Sequence, residues 1–133
     1  MTSTMKKHSI KRSMSFTRSS AQKDARQSVA IALVAATNAF DTDAAVALFA
    51  PAALIDDPST EQVFHGRRGI RKYIESYFVG YDTVARILAL NHADELCSRL
   101  RLDFTGDFGH EIGQMVLRFD AGGLIVHLHA ELE

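Results

Sequence analysis

Four side chains in this sequence have the types and spacing for moving a proton: Asp57, at the end of AALIDDP, and His127, His129 and Glu131, on alternate positions of the closing LIVHLHAELE. A carboxylate at the rim of an apolar cavity is desolvated, which lifts its pKa toward the range where a general base works. An imidazole, with an ordinary pKa of ~6.5, gives or takes a proton at neutral pH. If the closing segment is a strand, His127, His129 and Glu131 share one face and Val126, Leu128, Ala130 and Leu132 the other. Alternation fixes that division without saying which face looks inward. Asp57 has a second reading, because Asp-Pro also terminates strands and shapes turns. His-x-His on one strand face brings two imidazoles within ~7 Å, a spacing that zinc sites use. The third ligand would be Glu131 or Asp57, and no pattern marks either, so no metal and no cofactor are expected. Cys97 has no recognised base partner and is not expected to act as a nucleophile. His65 is expected at a rim, and His110 and Glu111, after a glycine turn, in solvent.

The elements that must position these groups follow from periodicity. Between Ala21 and Phe40, the residues Val29, Leu33, Ala36 and Phe40 recur at helical spacing behind Ser19 and Ser20. DAAVALFA predicts a short helix from Asp43 that stops at Pro51. AALIDD predicts a strand ended by Pro58, and EQVFH a brief return strand ended by Gly66. RRGIRKYIESYF, Arg67 to Phe78, carries Ile70, Tyr73, Ile74 and Tyr77 on one stripe and predicts a third helix. The remainder alternates as sheet: TVARILAL, then ELCSRLRLDF with Leu96, Leu100, Leu102 and Phe104 on one face and Arg99, Arg101 and Asp103 on the other, then HEIGQMVLRF and the closing strand. TGDFG and DAGG are the turns between them. Helices followed by a strand meander imply an α+β fold, with the helices packed on one face of a curved antiparallel sheet.

A chain of 133 residues with 47% hydrophobic composition suits one domain, large enough to bury roughly 70% of its unfolded surface. Residues 1–20 carry Lys6, Lys7, Lys11, Arg12 and Arg18 and no acid, which leaves ten basic against sixteen acidic residues in the other 113. That first segment suits a disordered basic tail, or an organelle-targeting sequence, and the tail is the expectation. Residues 21–133 are then the folded domain, and their net negative charge argues against a nucleic-acid surface. One cysteine excludes an internal disulfide, and without a long apolar run no membrane contact is expected. A cytoplasmic location is the expectation.

From Phe40 to Phe78, FDTDAAVALFAPAALIDDPSTEQVFHGRRGIRKYIESYF resembles the nuclear transport factor 2-like superfamily, above all its ketosteroid isomerases and SnoaL-like polyketide cyclases. A short helix ending in ALFA, a strand ending in Asp57-Pro58, and Gly66 opening G-x-x-x-I-R with Ile70 and Arg71 match the isomerase pattern without a gap. RFD, Gly122 and the final strand extend the likeness over roughly residues 27–132. The resemblance implies a cone-shaped domain around a deep apolar pocket, with the outer sheet face forming a homodimer.

It also implies roles. Asp57 stands at the isomerases' general base, and Tyr73 at an aromatic pocket wall that Tyr77 extends; both tyrosines read equally well as core packing. The isomerases' two oxyanion donors correspond to Leu33 and Met115, neither of which can donate a hydrogen bond. Loss of each such donor costs ~3 kcal/mol of transition-state stabilisation, so steroid isomerase activity is not expected. His127 and His129 stand at the cyclases' His-x-Asp pair, with histidine in place of the acid. The arginine and aspartate of limonene epoxide hydrolases correspond to Leu96 and Ser98, which excludes that triad. The expectation is therefore an enzyme of SnoaL-like or isomerase-like type acting on an apolar carbonyl compound. Asp57 would take the proton, and His129, aided by His127, would polarise the oxygen. Tyr73, Tyr77, Leu33, Met115 and Phe104 would hold the substrate. The alternative is a binding or dimerisation module of the same fold.

Overall fold

A computed structural model of the protein describes residue 21 and residues 23–133; the basic segment 1–20 lies outside these. Helix α1 covers residues 23–38 and buries Ala30, Leu33, Val34 and Thr37. It ends before Phe40, which takes a left-handed φ of 56° and is exposed, so the expected stripe stops one turn short. Asn38 fastens that end to the sheet: its amide donates to the Ala85 carbonyl at 2.8 Å and accepts from the Ala85 N–H at 2.7 Å. The short α2, Thr42–Val46, is capped by Asp41, whose carboxylate accepts from the Ala44 N–H, rather than by Asp43.

Strand β1, Phe49–Asp57, starts earlier than expected and ends at Pro58, which has no N–H to continue the ladder. A 3-10 turn over Pro58–Thr60 leads to β2, Gln62–His65, and α3 follows over Gly66–Ile74. From Glu75 to Val79 the helix widens into a π turn, closed by the Gly80 N–H donating to the Glu75 carbonyl at 2.8 Å. Strands β3 (Val84–Asp94), β4 (Cys97–Gly106), β5 (Gly109–Phe119) and β6 (Ile125–Leu132) form the expected antiparallel meander.

The six strands lie in the order β2-β1-β6-β5-β4-β3 in a curved, unclosed sheet. The sheet is mixed rather than wholly antiparallel, because β6 runs parallel to β1, pairing Ile55 with Leu128 and Asp56 with His129. No turn links these two strands, so local sequence could not set their direction. The inner face presents Ile55, Leu100, Leu102, Leu117 and Leu128, each at most 2% exposed, to the helices. Leu96 is exposed in the β3–β4 turn, and Ser98 instead continues the inner face, fully buried. No helix among the described residues is long and apolar enough to cross a membrane.

Candidate functional site

Between α3 and the inner face of the sheet lies a cavity of about 280 Å³. Asp57 enters it from the last position of β1, 8% exposed. Its neighbours fix the carboxylate: Oδ1 accepts from the Ser59 N–H at 3.0 Å and the Ser59 hydroxyl at 2.7 Å, and Oδ2 accepts from the Tyr73 hydroxyl at 2.7 Å. Asp57 therefore both ends the strand and lines the cavity, since one oxygen caps the 3-10 turn while the other faces α3. A carboxylate has about four lone-pair sites. Three are used here, leaving one, on Oδ2 beside the Tyr73 hydroxyl.

Tyr73 is buried, and its phenol pKa is raised well above the ordinary value of 10.0, first by burial, then by the Asp57 charge, by its hydrogen bond to Asp57 and by Tyr77. It thus remains a neutral donor. The π turn carries the next aromatics into the same space, so that Tyr73, Tyr77 and Tyr81, four residues apart, all line the cavity. Ring centroids are 5.3 Å apart for Tyr73 and Tyr77 and 6.2 Å for Tyr77 and Tyr81. Insertions of this kind into helices recur at functional sites. The Thr83 hydroxyl donates to the Tyr77 carbonyl at 2.7 Å and ties the turn down.

Of the expected wall residues, Tyr73, Tyr77, Phe104 and Met115 line the cavity. Leu33 sits deeper, in a nearly filled apolar pinch of about 10 Å³ that also touches Tyr73, Phe104 and Met115. The two histidines are elsewhere. Leu128 and Ala130 of β6 face inward, which turns His127 and His129 to the outer face of the sheet. There the His129 Nδ1 lies 3.2 Å from Oδ2 of Asp56, the residue opposite it in β1. The expectation that these imidazoles share the pocket with Asp57 is thereby corrected: neither is a cavity residue, and Asp57 lies on the other side of the sheet from both. Asp57 also drops out as a third metal ligand, and among the described residues no group of three His, Cys, Asp or Glu side chains is placed to hold a metal ion.

Sequence reading missed Ser59, Tyr81, Phe108 and Glu111 at this site. Glu111, expected in solvent, is exposed yet lies opposite Phe104 on the inner side of β5, at the cavity mouth. Glu131 also borders the cavity, but its carboxylate turns outward, 3.8 Å from His129 Nε2.

A mixed, curved sheet wrapped on helices around one apolar cavity defines the nuclear transport factor 2-like class. Within that class the chain belongs to the SnoaL-like domain family, whose model matches residues 30–128. Solved structures of similar fold include the epoxide hydrolase/cyclase-like enzyme SalBIII, described with a role in pyran ring formation in the polyether salinomycin. It is 21% identical with a TM-score of 0.75, over 84% of this chain and 92% of that one. A candidate polyketide cyclase from Sinorhizobium meliloti is 21% identical, TM-score 0.71, over 78% and 94% of the two chains. A candidate ketosteroid isomerase from Kribbella flavida is 17% identical, TM-score 0.73, over 83% and 78%. A search of curated protein sequences finds no match.

Proposed function

We propose that the protein is a small-molecule enzyme of cyclase or isomerase type, in which Asp57 moves a proton on an apolar carbonyl compound held in the cavity. The observation that carries this reading is Asp57 itself: 8% exposed, it lines a cavity walled by aromatic rings, and its Oδ2 accepts one hydrogen bond, from the Tyr73 hydroxyl, among the described residues. The Ser59 and Tyr73 donors hold the carboxylate in one orientation, which is what a general base within reach of a C–H bond requires. With the histidines on the outer face, the oxygen of the substrate needs another donor. Tyr77 supplies it: its ring lines the cavity beside Tyr73, and its hydroxyl makes no hydrogen bond among the described residues. Leu33 and Met115 have no hydrogen to donate, so the oxyanion hole of steroid isomerases finds no support here.

One observation favours a second reading, a binding module without chemistry. Asp57 already accepts three hydrogen bonds, two of which cap the turn at Pro58–Thr60. An assay for C–H acidity separates the two without knowledge of the product. The protein is incubated in D₂O with cyclic ketones and aryl β-diketones, and exchange of the α-hydrogens is followed by mass spectrometry. Catalysed exchange that falls by about 10²–10⁴-fold in Asp57→Asn supports the enzyme, in keeping with the worth of a positioned base. Exchange unchanged in that variant, or none over background for ligands that bind, gives the binding module.

We also propose, as the partner of this fold, a second copy of the chain on the outer sheet face.

A further inference from the structure

The mouth of the cavity has a chemistry of its own. Tyr77, Tyr81 and Phe108 stand in sequence around it, with ring centroids 6.2 Å apart for the first pair and 6.4 Å for the second, where the rings meet at 86°. Tyr81 and Phe108 are 46% and 45% exposed, an unusual position for two large rings in contact. Both line the cavity, and so does Glu111, three residues beyond Phe108 across the β4–β5 turn. The Glu111 carboxylate makes neither a hydrogen bond nor an ion pair among the described residues. The inward carboxylates are Glu111 and Asp57, and among the described residues no Lys, Arg or His lines the cavity.

We propose that Tyr77, Tyr81, Phe108 and Glu111 form a cage for a positively charged nitrogen, and that the ligand of this cavity is an amine: an ammonium or alkylated ammonium group at the mouth, carried on an apolar body that reaches inward. This rests on the reading that the cavity holds the substrate, and it names the class of that substrate. Aromatic faces attract a cation within about 6 Å of their centroids through the negative face of the ring quadrupole. The spacings let one cation touch two rings at once, and the perpendicular setting of Phe108 on Tyr81 gives two sides of an angle rather than a flat wall. Glu111 adds an unpaired negative charge beside the rings. A carboxylate or phosphate ligand would meet two acids and no cation, so the same lining rejects anions.

Three ligands of one shape test this on the full chain: (2-naphthylmethyl)trimethylammonium, its neutral carbon isostere 2-neopentylnaphthalene, and the anion 2-naphthylacetate. Binding is followed by naphthalene emission, which a chain without tryptophan does not obscure. The cation is expected to bind about tenfold more tightly than the neutral isostere, with the anion weakest. Phe108→Leu and Glu111→Gln should each cut that preference several-fold while leaving the affinity of the neutral isostere within about twofold, which also shows that the variants fold. A neutral isostere or anion that binds as tightly as the cation overturns the proposal, as does the absence of cation binding at about 1 mM. A preference that persists undiminished in both variants places the charge elsewhere and overturns the cage as well. The deuterium exchange assay is scored separately. Cation preference without Asp57-dependent exchange leaves the cage and removes the chemistry, and exchange without cation preference does the reverse.

Discussion

Asp57 and Tyr73 depend on each other, and pH exposes the dependence. Tyr73→Phe removes the donor to Oδ2 without changing the packing of the ring, so a loss of about 1–2 kcal/mol of stability is expected from the vacated carboxylate. The alkaline limb should change too. The phenol keeps its proton in the folded protein above the ordinary 10.0, whereas the unfolded chain releases it there. The stability from this group is therefore complete below pH 10 and is lost as pH rises toward the folded value. Denaturant titrations between pH 9 and 11 should fall less steeply for the Phe variant than for the parent; equal slopes would mean that Tyr73 titrates normally. At this scale the sequence revealed Asp57 through its place before Pro58 and its gapless match to the isomerase pattern. It could not reveal the sign of β6. Asp56 and Asp57 point to opposite faces, and the β1–β6 register sets His129 beside Asp56. Once Asp57 looks inward, His129 must look outward, but that register is a contact across 73 residues and leaves no trace in local alternation.

Elements position the cavity mouth through one glycine. A Cβ on Gly106, at the end of β4, would lie 2.7 Å from the Tyr81 carbonyl oxygen and 2.8 Å from the Phe108 ring. The adjacent Asp107 N–H donates to that same Tyr81 carbonyl at 2.8 Å. The bare backbone thus lets the end of the meander dock on the segment that leaves the π turn. Gly106→Ala should cost about 1–3 kcal/mol by overpacking and weaken the naphthyl cation more than its neutral isostere, since the rim is displaced while the inner cavity is kept. A normal melting temperature with unchanged preference would show that the rim yields freely. The meander itself was legible, because Leu100, Leu102 and Phe104 alternate with Arg99, Arg101 and Asp103 and the turns are glycine-rich. The π turn was not legible: ordinary helical spacing ends the stripe at Tyr77, and only the i to i+5 bond at Gly80 brings Tyr81 round to join it.

For the whole molecule, the unresolved asymmetry is between the two faces of one sheet. Helices α1 and α3 cover the inner face, and nothing among the described residues covers the outer one. That outer face is not a plain solvated surface. Val116 and Ile112 of β5 are half-buried among Arg99, Arg101, Asp103, His127 and His129, and the His127 Nε2 is buried with no partner among the described residues. Opposite charges pair across this face, with Arg101 of β4 on Glu133, just beyond the end of β6, at 2.8 Å and His129 beside Asp56 of the neighbouring β1. A two-fold axis through such a face sets basic β4 against the acids of β1 and β6 in the other copy, which is the self-complementarity that an isologous dimer needs. It also closes Val116 and Ile112 into an apolar centre and can supply a partner for His127. The proposed dimer therefore predicts a solution mass of twice 14.7 kDa by light scattering. Val116→Arg should return it to a single chain without loss of folding, because that side chain points away from the core formed by Met115 and Leu117. A parent protein that stays at 14.7 kDa at every concentration would remove the dimer and leave the outer face to another partner. The cavity opens on the opposite side of the sheet from this face, so the variant is also expected to keep its ligand affinity, and self-association and binding can be separated by one residue.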